Sequence, residues 1–187
     1  MNKPVTRVVL GIVGVIGVFF GVRQMISGFR QISGVTVPQK IGERVDMAGH
    51  GCSMRVPNGW EKKDGDGGGL VFSSPKSSGY AVNLIVLSEA FAGSLPEYAD
   101  LTAKSLKDAL PDAEIEPHDS FAPSVGAAGR KISLRRKVKE MAVVQSVYIF
   151  GGKPGRNISI TTTAPAERSA EIEPLFVECL KSFTVLP

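Results

Sequence analysis

Histidine and cysteine, which build many catalytic and metal centres, are scarce in this sequence. Its 187 residues include two histidines, two cysteines and one tryptophan. Neither His50 and His118 nor Cys52 and Cys179 have the spacing of a zinc motif. The sequence also lacks a Gly-x-Ser-x-Gly nucleophile motif and a glycine-rich phosphate loop ending in Gly-Lys-Ser or Gly-Lys-Thr. We therefore expect no enzyme activity, no metal and no cofactor.

Acidic residues are absent from the first 32 residues, which carry Lys3, Arg7, Arg23 and Arg30. The formal net charge of +4 comes from this segment, because the remaining 18 of the 22 bases are balanced by the 18 acids. A body without net charge has no long-range field that attracts a polyanion. We therefore expect no nucleic-acid partner.

Charge is also absent from residues 8–22, which read VVLGIVGVIGVFFGV. A helix of this length spans roughly 22 Å, and Arg7 and Arg23 can extend it towards the ~30 Å of a bilayer by reaching the headgroups. No Ala-x-Ala-like cleavage site comes after the run, so we favour an uncleaved anchor over a signal peptide or a buried core helix. Residues 1–32 are predicted as a transmembrane helix with an amphipathic exit.

Four glycines fall within roughly 120° of the surface of this helix. They are Gly11, Gly14, Gly17 and Gly21. Such a face lets another membrane helix pack closely, although glycine is also simply common in membrane helices. Because a short N-terminal anchor usually translocates the domain on its C-terminal side, we expect a single-pass protein of the cell membrane with a cytoplasmic N-terminus. Membrane lipids and an integral-membrane complex are the expected partners.

Residues 33–51 mix Gly, Pro and charge without periodicity and are predicted as a linker. The remaining residues, 52–187, contain short apolar runs that are typical of strands. The predicted strands cover residues 52–56, 70–73, 80–87, 114–116, 130–138, 142–150 and 157–163. Glycine-rich hairpin turns are predicted at residues 64–69 and 151–155.

Two helices are predicted in the same domain. A capping box of Ser94 and Glu97 starts the first, and Pro111 ends it. Pro174 is placed in the first turn of the second, because a proline further inside would kink the helix. The order of strands, helix, strands and helix predicts an α+β fold with a mostly antiparallel sheet flanked by helices.

Several short sequences along residues 52–185 carry a family resemblance. They are Val-Pro-x-Gly-Trp at 56–60, Ser-Leu-x-Glu-Tyr at 94–98, Gly-Arg-Lys at 129–131, Gln145 with Tyr148, Ser-Ile-Thr-x-Thr at 159–163 and Lys-Ser-Phe at 181–183. Together they resemble the PsbP/Mog superfamily, nearest its bacterial LpqN- and DcrB-like envelope proteins. The resemblance implies an α/β/α sandwich that serves binding or assembly, without shared catalytic residues. This chain lacks the lipobox of LpqN-like lipoproteins.

The most basic stretch of the domain lies in the strand predicted at residues 130–138. Two-residue periodicity turns Ile132, Leu134 and Val138 inward. The opposite face then carries a basic stripe of Lys131, Arg135, Lys137 and Lys139. This stripe is either a solvated sheet face or a contact for anionic lipid headgroups or an acidic partner.

These features together predict a membrane-anchored, non-enzymatic accessory or assembly protein of a larger membrane or envelope complex. The alternative is a binder or chaperone of apolar ligands or of hydrophobic exported segments. Cys52 and Cys179 are expected as separate buried thiols, with a disulfide between them as the second alternative.

Overall fold

A computed structural model describes residues 40–75, 82–126, 128–138 and 140–187. The strands are β1 Ile41–Met47, β2 Cys52–Pro57, β3 Glu61–Asp64, β4 Leu70–Ser73, β5 Asn83–Ala90, β6 Glu114–Ile115, β7 Asp119–Phe121, β8 Gly129–Val138, β9 Met141–Gly151, β10 Arg156–Pro165 and β11 Thr184–Val185. The α-helices are α1 Leu95–Ala109 and α2 Ser169–Lys181. The predicted anchor and its glycine face lie outside the described residues. Neither described helix is long and apolar enough to cross a membrane.

An antiparallel sheet of eight strands forms the centre of the domain, in the order β3-β4-β5-β10-β9-β8-β6 with β7 also paired to β8. The long strands β9 and β10 lie at its middle, with Tyr148 opposite Ile160. Helix α1 packs against β8 and β9, whereas α2 contacts β10 and β2. The predicted α+β fold, a mostly antiparallel sheet flanked by helices, is confirmed.

Each helix covers its own hydrophobic core. The smaller core joins α1 to β8 and β9 and contains Tyr98, Ala99, Leu106, Ile132, Leu134, Val147 and Ile149. The larger core lies under α2 and includes Phe72, Leu84, Val86, Tyr148, Phe150, Ile160, Phe176 and Phe183. Burying one such side chain contributes roughly 1.5–3 kcal/mol. The two cores therefore fix α1 and α2 on opposite sides of the same central strands.

A second sheet corrects the predicted domain boundary. It has three strands in the order β1-β2-β11, and β1 occupies residues that were predicted as linker. Three of its seven residues are charged and Met47 is the one that is buried, so its apolar signal is too short to predict a strand. Backbone pairing with β2 and the burial of Met47 hold the strand in place. For the same reason the wholly exposed strand β3 was not predicted.

The predicted caps and turns are confirmed. The Ser94 backbone N–H donates to Glu97 Oε2 at 2.7 Å, and the Glu97 N–H donates to Ser94 Oγ at 3.4 Å. The first glycine-rich turn joins β3 to β4 and needs positive φ at Gly67 and Gly68. Residues 151–155 join β9 to β10, with Gly155 at a φ of 76°.

Helix α2 begins earlier than predicted, which places Pro174 inside the helix. A short 3₁₀ turn at Ala166–Arg168 leads into it, and Ile172 is fully buried in the larger core. Arg168 also pairs with Glu171 at 2.9 Å in the first turn. These contacts stabilise the turns before Pro174, whose missing N–H removes one helical hydrogen bond.

The two cysteines are free and buried. Cys52 lies in β2 and Cys179 in α2, so both thiols belong to the interior between the small sheet and the helix. Burial raises the pKa of each thiol to about 12. The structure therefore has the two separate thiols that the sequence favoured, and both are protonated at neutral pH.

Candidate functional site

The basic stripe predicted on β8 divides into two parts in the structure. Lys131 Nζ donates to Glu173 Oε1 of α2 at 2.8 Å and lies 5.5 Å from the centre of the Tyr148 ring. The Tyr148 hydroxyl donates to the same Glu173 oxygen at 3.2 Å. Burial, with the Glu173 charge, raises the pKa of Tyr148. Lys131 thus links α2 to the sheet. Because Glu173 balances its charge, Lys131 is poorly suited to contact an external partner.

Arg135 and Lys137, which we call the hairpin cations, are exposed near the turn between β8 and β9. Within the described ranges neither takes part in an ion pair. Glu114 of β6 is directly opposite Arg135 and lies on the same side of the sheet. Lys139 lies outside the described residues. Of the four predicted contact residues, the structure therefore presents these two as exposed cations.

The other face of β8 agrees with the predicted alternation. Ile132 and Leu134 are fully buried under α1, and Val138 is half-buried. Arg136, on the α1 face, donates through Nε to Gln145 Oε1 at 2.9 Å, and Gln145 Nε2 donates to Thr163 Oγ1 at 3.1 Å. This polar row fixes Arg136 against the sheet.

A cavity that the sequence did not predict lies where α2 ends. Its volume is about 360 Å³, and we call it the C-terminal cavity. Three cations line it, Arg44 from β1, Arg55 from β2 and Lys181 from α2, together with one acid, Glu178. Arg44 and Arg55 are partners across β1 and β2, whereas Glu178 and Lys181 come from the last turn of α2, and no local motif links the two groups.

Arg44 is held in the C-terminal cavity by three hydrogen bonds. Its Nη1 donates to Ser53 Oγ and to Thr184 Oγ1, each at 2.9 Å, and its Nη2 donates to Ser182 O at 2.8 Å. Because the acceptors come from β2 and from the segment after α2, the guanidinium ties the small sheet to the helix end. Its position is fixed before any ligand arrives.

A buried carboxyl lies on the other side of the domain, at the end of β5. The Tyr98 hydroxyl donates to Glu89 Oε2, and the other Glu89 oxygen has no hydrogen-bond partner within the described ranges. Asn157, directly opposite on β10, likewise has an unpaired amide nitrogen there. Burial raises the pKa of Glu89 to about 7. The group can therefore change its protonation state near neutral pH.

The histidines lie apart from this carboxyl. His118 is 3.0 Å from Asp100 near the start of α1. His50 lies in the turn that follows β1, and burial lowers its pKa. Among the described residues, no three side chains of His, Cys, Asp or Glu come together as metal ligands.

The fold of the described residues is PsbP/Mog-like, as its likeness to three solved structures shows. CyanoP, the cyanobacterial PsbP of Synechocystis sp. PCC 6803, is 20% identical, with a TM-score of 0.54 over 82% of this chain and 98% of CyanoP. The Ran-binding protein Mog1p of Saccharomyces cerevisiae is 12% identical, with a TM-score of 0.56 over 79% and 97% of the two chains. LpqN of Mycobacterium tuberculosis is also 12% identical, with a TM-score of 0.54 over 80% and 87%.

No protein-family model and no curated protein sequence matches this chain significantly. At the identities found, the likeness to solved structures shows the fold alone. The PsbP/Mog-like resemblance with LpqN among the neighbours, predicted from short sequences, is confirmed.

Proposed function

We propose that the protein is a membrane-anchored, non-enzymatic accessory or assembly protein whose domain binds a larger membrane or envelope complex. The observation that carries this proposal is the pair of exposed hairpin cations on a PsbP/Mog-like fold. Two neighbours support a binding role of this kind. Mog1p is described as a Ran-binding protein, and LpqN as involved in cell envelope biogenesis.

The anchor is the apolar run at residues 8–22, with the domain on the extracytoplasmic side of a bacterial cell membrane. The glycine face of Gly11, Gly14, Gly17 and Gly21 packs against a membrane helix of the complex. The amphipathic exit and the linker residues before β1, fewer than twenty in all, then join the apolar run to β1. Fully extended, this segment reaches at most about 65 Å, which keeps the domain near the bilayer.

The hairpin cations are the proposed contact of the domain with its partner. Rim charges of this kind change association rates and partner choice more than they change domain stability. Arg135→Glu with Lys137→Glu should therefore reduce copurification of the partner from native membranes. The matched control is Lys104→Glu with Lys107→Glu, which makes the same charge change on exposed residues of α1. Equal recovery of the partner with both double variants would overturn the contact.

The anchor is tested separately by Gly17→Leu with Gly21→Leu, which fills the glycine face. We expect loss of the membrane partner while the domain stays folded. Leu10→Ile with Val15→Ile, which keeps the run apolar and its glycines intact, is the control. Unchanged copurification with the leucine variant would show that the glycines do not form the contact.

An apolar-ligand binder or a chaperone is a different class of function. Charged and hydroxyl side chains line the C-terminal cavity beside Ile41, Val125 and Phe183, so the cavity offers polar groups as well as apolar surface. The exposed hairpin cations are the observation that favours the accessory role over this alternative.

A further inference from the structure

The C-terminal cavity gathers positive charge that the protein leaves unpaired. Arg55 donates through Nε to Gly42 O at 2.9 Å, and its two Nη atoms have no hydrogen-bond partner within the described ranges. The Lys181 ammonium has no ion-pair partner among the same residues. Since Glu178 is the one acid in the lining, three cations face a single carboxylate.

Of these cations, only Arg44 is bonded to the end of α2, because other protein donors use the neighbouring carbonyls. Ser182 donates to Cys179 O through both its N–H and its hydroxyl, and Ser124 N–H donates to Lys181 O at 2.8 Å. The next carbonyl, Ser182 O, accepts from Arg44. A helix C-terminus normally attracts cations through such free carbonyls. Here the carbonyls are satisfied, and Arg55 and Lys181 remain available to a ligand.

From this arrangement we propose that the C-terminal cavity binds a phosphate group. The guanidinium group of arginine can donate two parallel hydrogen bonds to the oxygens of a phosphate. Arg55 offers both of its Nη atoms, because only its Nε is bonded to Gly42 O. The ammonium of Lys181 adds a point charge, and the hydroxyls of Ser124 and Thr184 line the same space. Because Arg44 is already held in place, little ordering is needed when the ligand binds.

The size and rim of the cavity point to a phosphate carried on an organic group. A volume of about 360 Å³ exceeds the needs of a bare phosphate and falls in the range of small-ligand sites. Exposed Val125 and half-buried Ile41 border the cations and offer apolar contact beside them. A soluble organophosphate and a phospholipid headgroup share this chemistry. Phosphate binding at this site requires neither the anchor nor the accessory role.

The test is an amide NMR titration of the full chain in neutral detergent at fixed ionic strength. The probes are glycerol 3-phosphate, short-chain phosphatidylglycerol below its micelle concentration and hexa-aspartate. We expect a phosphate probe to shift the amides of Ser124 and Thr184. Equal binding of both phosphate probes would indicate a soluble ligand, whereas preference for phosphatidylglycerol would indicate a lipid headgroup; either result supports the site.

Substitutions in the cavity and elsewhere show where the phosphate probe binds. Arg55→Gln with Lys181→Gln should weaken binding of the phosphate probe at least about tenfold, because charge-assisted hydrogen bonds are lost. Lys181→Gln alone keeps the test valid if the double variant misfolds, since the Lys181 side chain is exposed. Arg135→Gln with Lys137→Gln removes equal charge elsewhere and should leave binding unchanged. Binding of hexa-aspartate alone, no shift with either phosphate probe, or equal loss in the control would overturn the proposal.

Discussion

The hairpin cations and the C-terminal cavity are two basic regions that the sequence presents in opposite ways. The first comes from one short run on β8, and its members spread out: Lys131 pairs with α2 while Arg135 and Lys137 stay exposed. The second brings Arg44 and Arg55 of the paired strands β1 and β2 together with Lys181 of α2. Basic residues that are close together in one strand thus lie along a surface, whereas the cations of the cavity are brought together by tertiary structure.

The two regions also differ in what supports them. The hairpin cations lie on strand ends near a turn, so their removal leaves the core intact. Phe183, by contrast, is 3% exposed, lines the C-terminal cavity and stacks on Phe150 with ring centres 4.2 Å apart. The cavity therefore shares its wall with the larger core.

The largest expected effect comes from removing that wall. Phe183→Ala should lower the free energy of unfolding by about 3–5 kcal/mol, because it leaves a void beside Phe150. Val125→Ala, at a cavity residue that is 66% exposed, should change it by less than about 0.5 kcal/mol. Urea denaturation measures both. Similar values for the two variants would show that the cavity is independent of the core.

A second prediction concerns the carboxyl of Glu89, which lies apart from both basic regions. Its test is the pH dependence of the free energy of unfolding. Because the folded pKa of Glu89 is raised to about 7, the stability from the neutral carboxyl is full below about pH 4.5 and is lost as the pH rises through about 7. Relative to Glu89→Gln, the wild type should lose about 1–2 kcal/mol between about pH 5 and 8.

The comparison with the variant is needed because His50 has the opposite effect. Its lowered pKa means that stability is lost as the pH falls, and this contribution cancels between wild type and Glu89→Gln. Urea denaturation across the pH range checks the result. Parallel stability curves for the two proteins would contradict the buried, protonated state of Glu89.

The smallest expected effect tests the division of the basic stripe. In a double-mutant cycle, Lys131→Met and Glu173→Gln should show a coupling energy of about 0.5–1 kcal/mol, since both side chains are partly exposed. Lys137→Met with Glu173→Gln is the matched cycle and should show none. Equal coupling in both cycles would mean that Lys131 is no different from the hairpin cations.

Local signals in the sequence predicted much of the fold. The capping box at Ser94, the glycine turns and the apolar strands each depend on residues close together in the chain. Strand β1 was missed because three of its seven residues are charged and Met47 is the one that is buried, and the start of α2 was missed because burial of Ile172 outweighs the proline signal. Pairing across the sheets and the convergence of Arg44, Arg55 and Lys181 depend on tertiary structure, which no short pattern encodes.

The central claim is that the hairpin cations contact a membrane or envelope complex. A photo-crosslinking amino acid placed at Lys137 in the full chain, activated in native membranes and analysed by mass spectrometry, tests it most directly. Leu101 on α1, which is 52% exposed on the other side of the sheet, provides the control position. We predict adducts to a membrane or envelope protein from position 137 and not from position 101. Adducts that are equal from both positions, or absent from both, would contradict the claim.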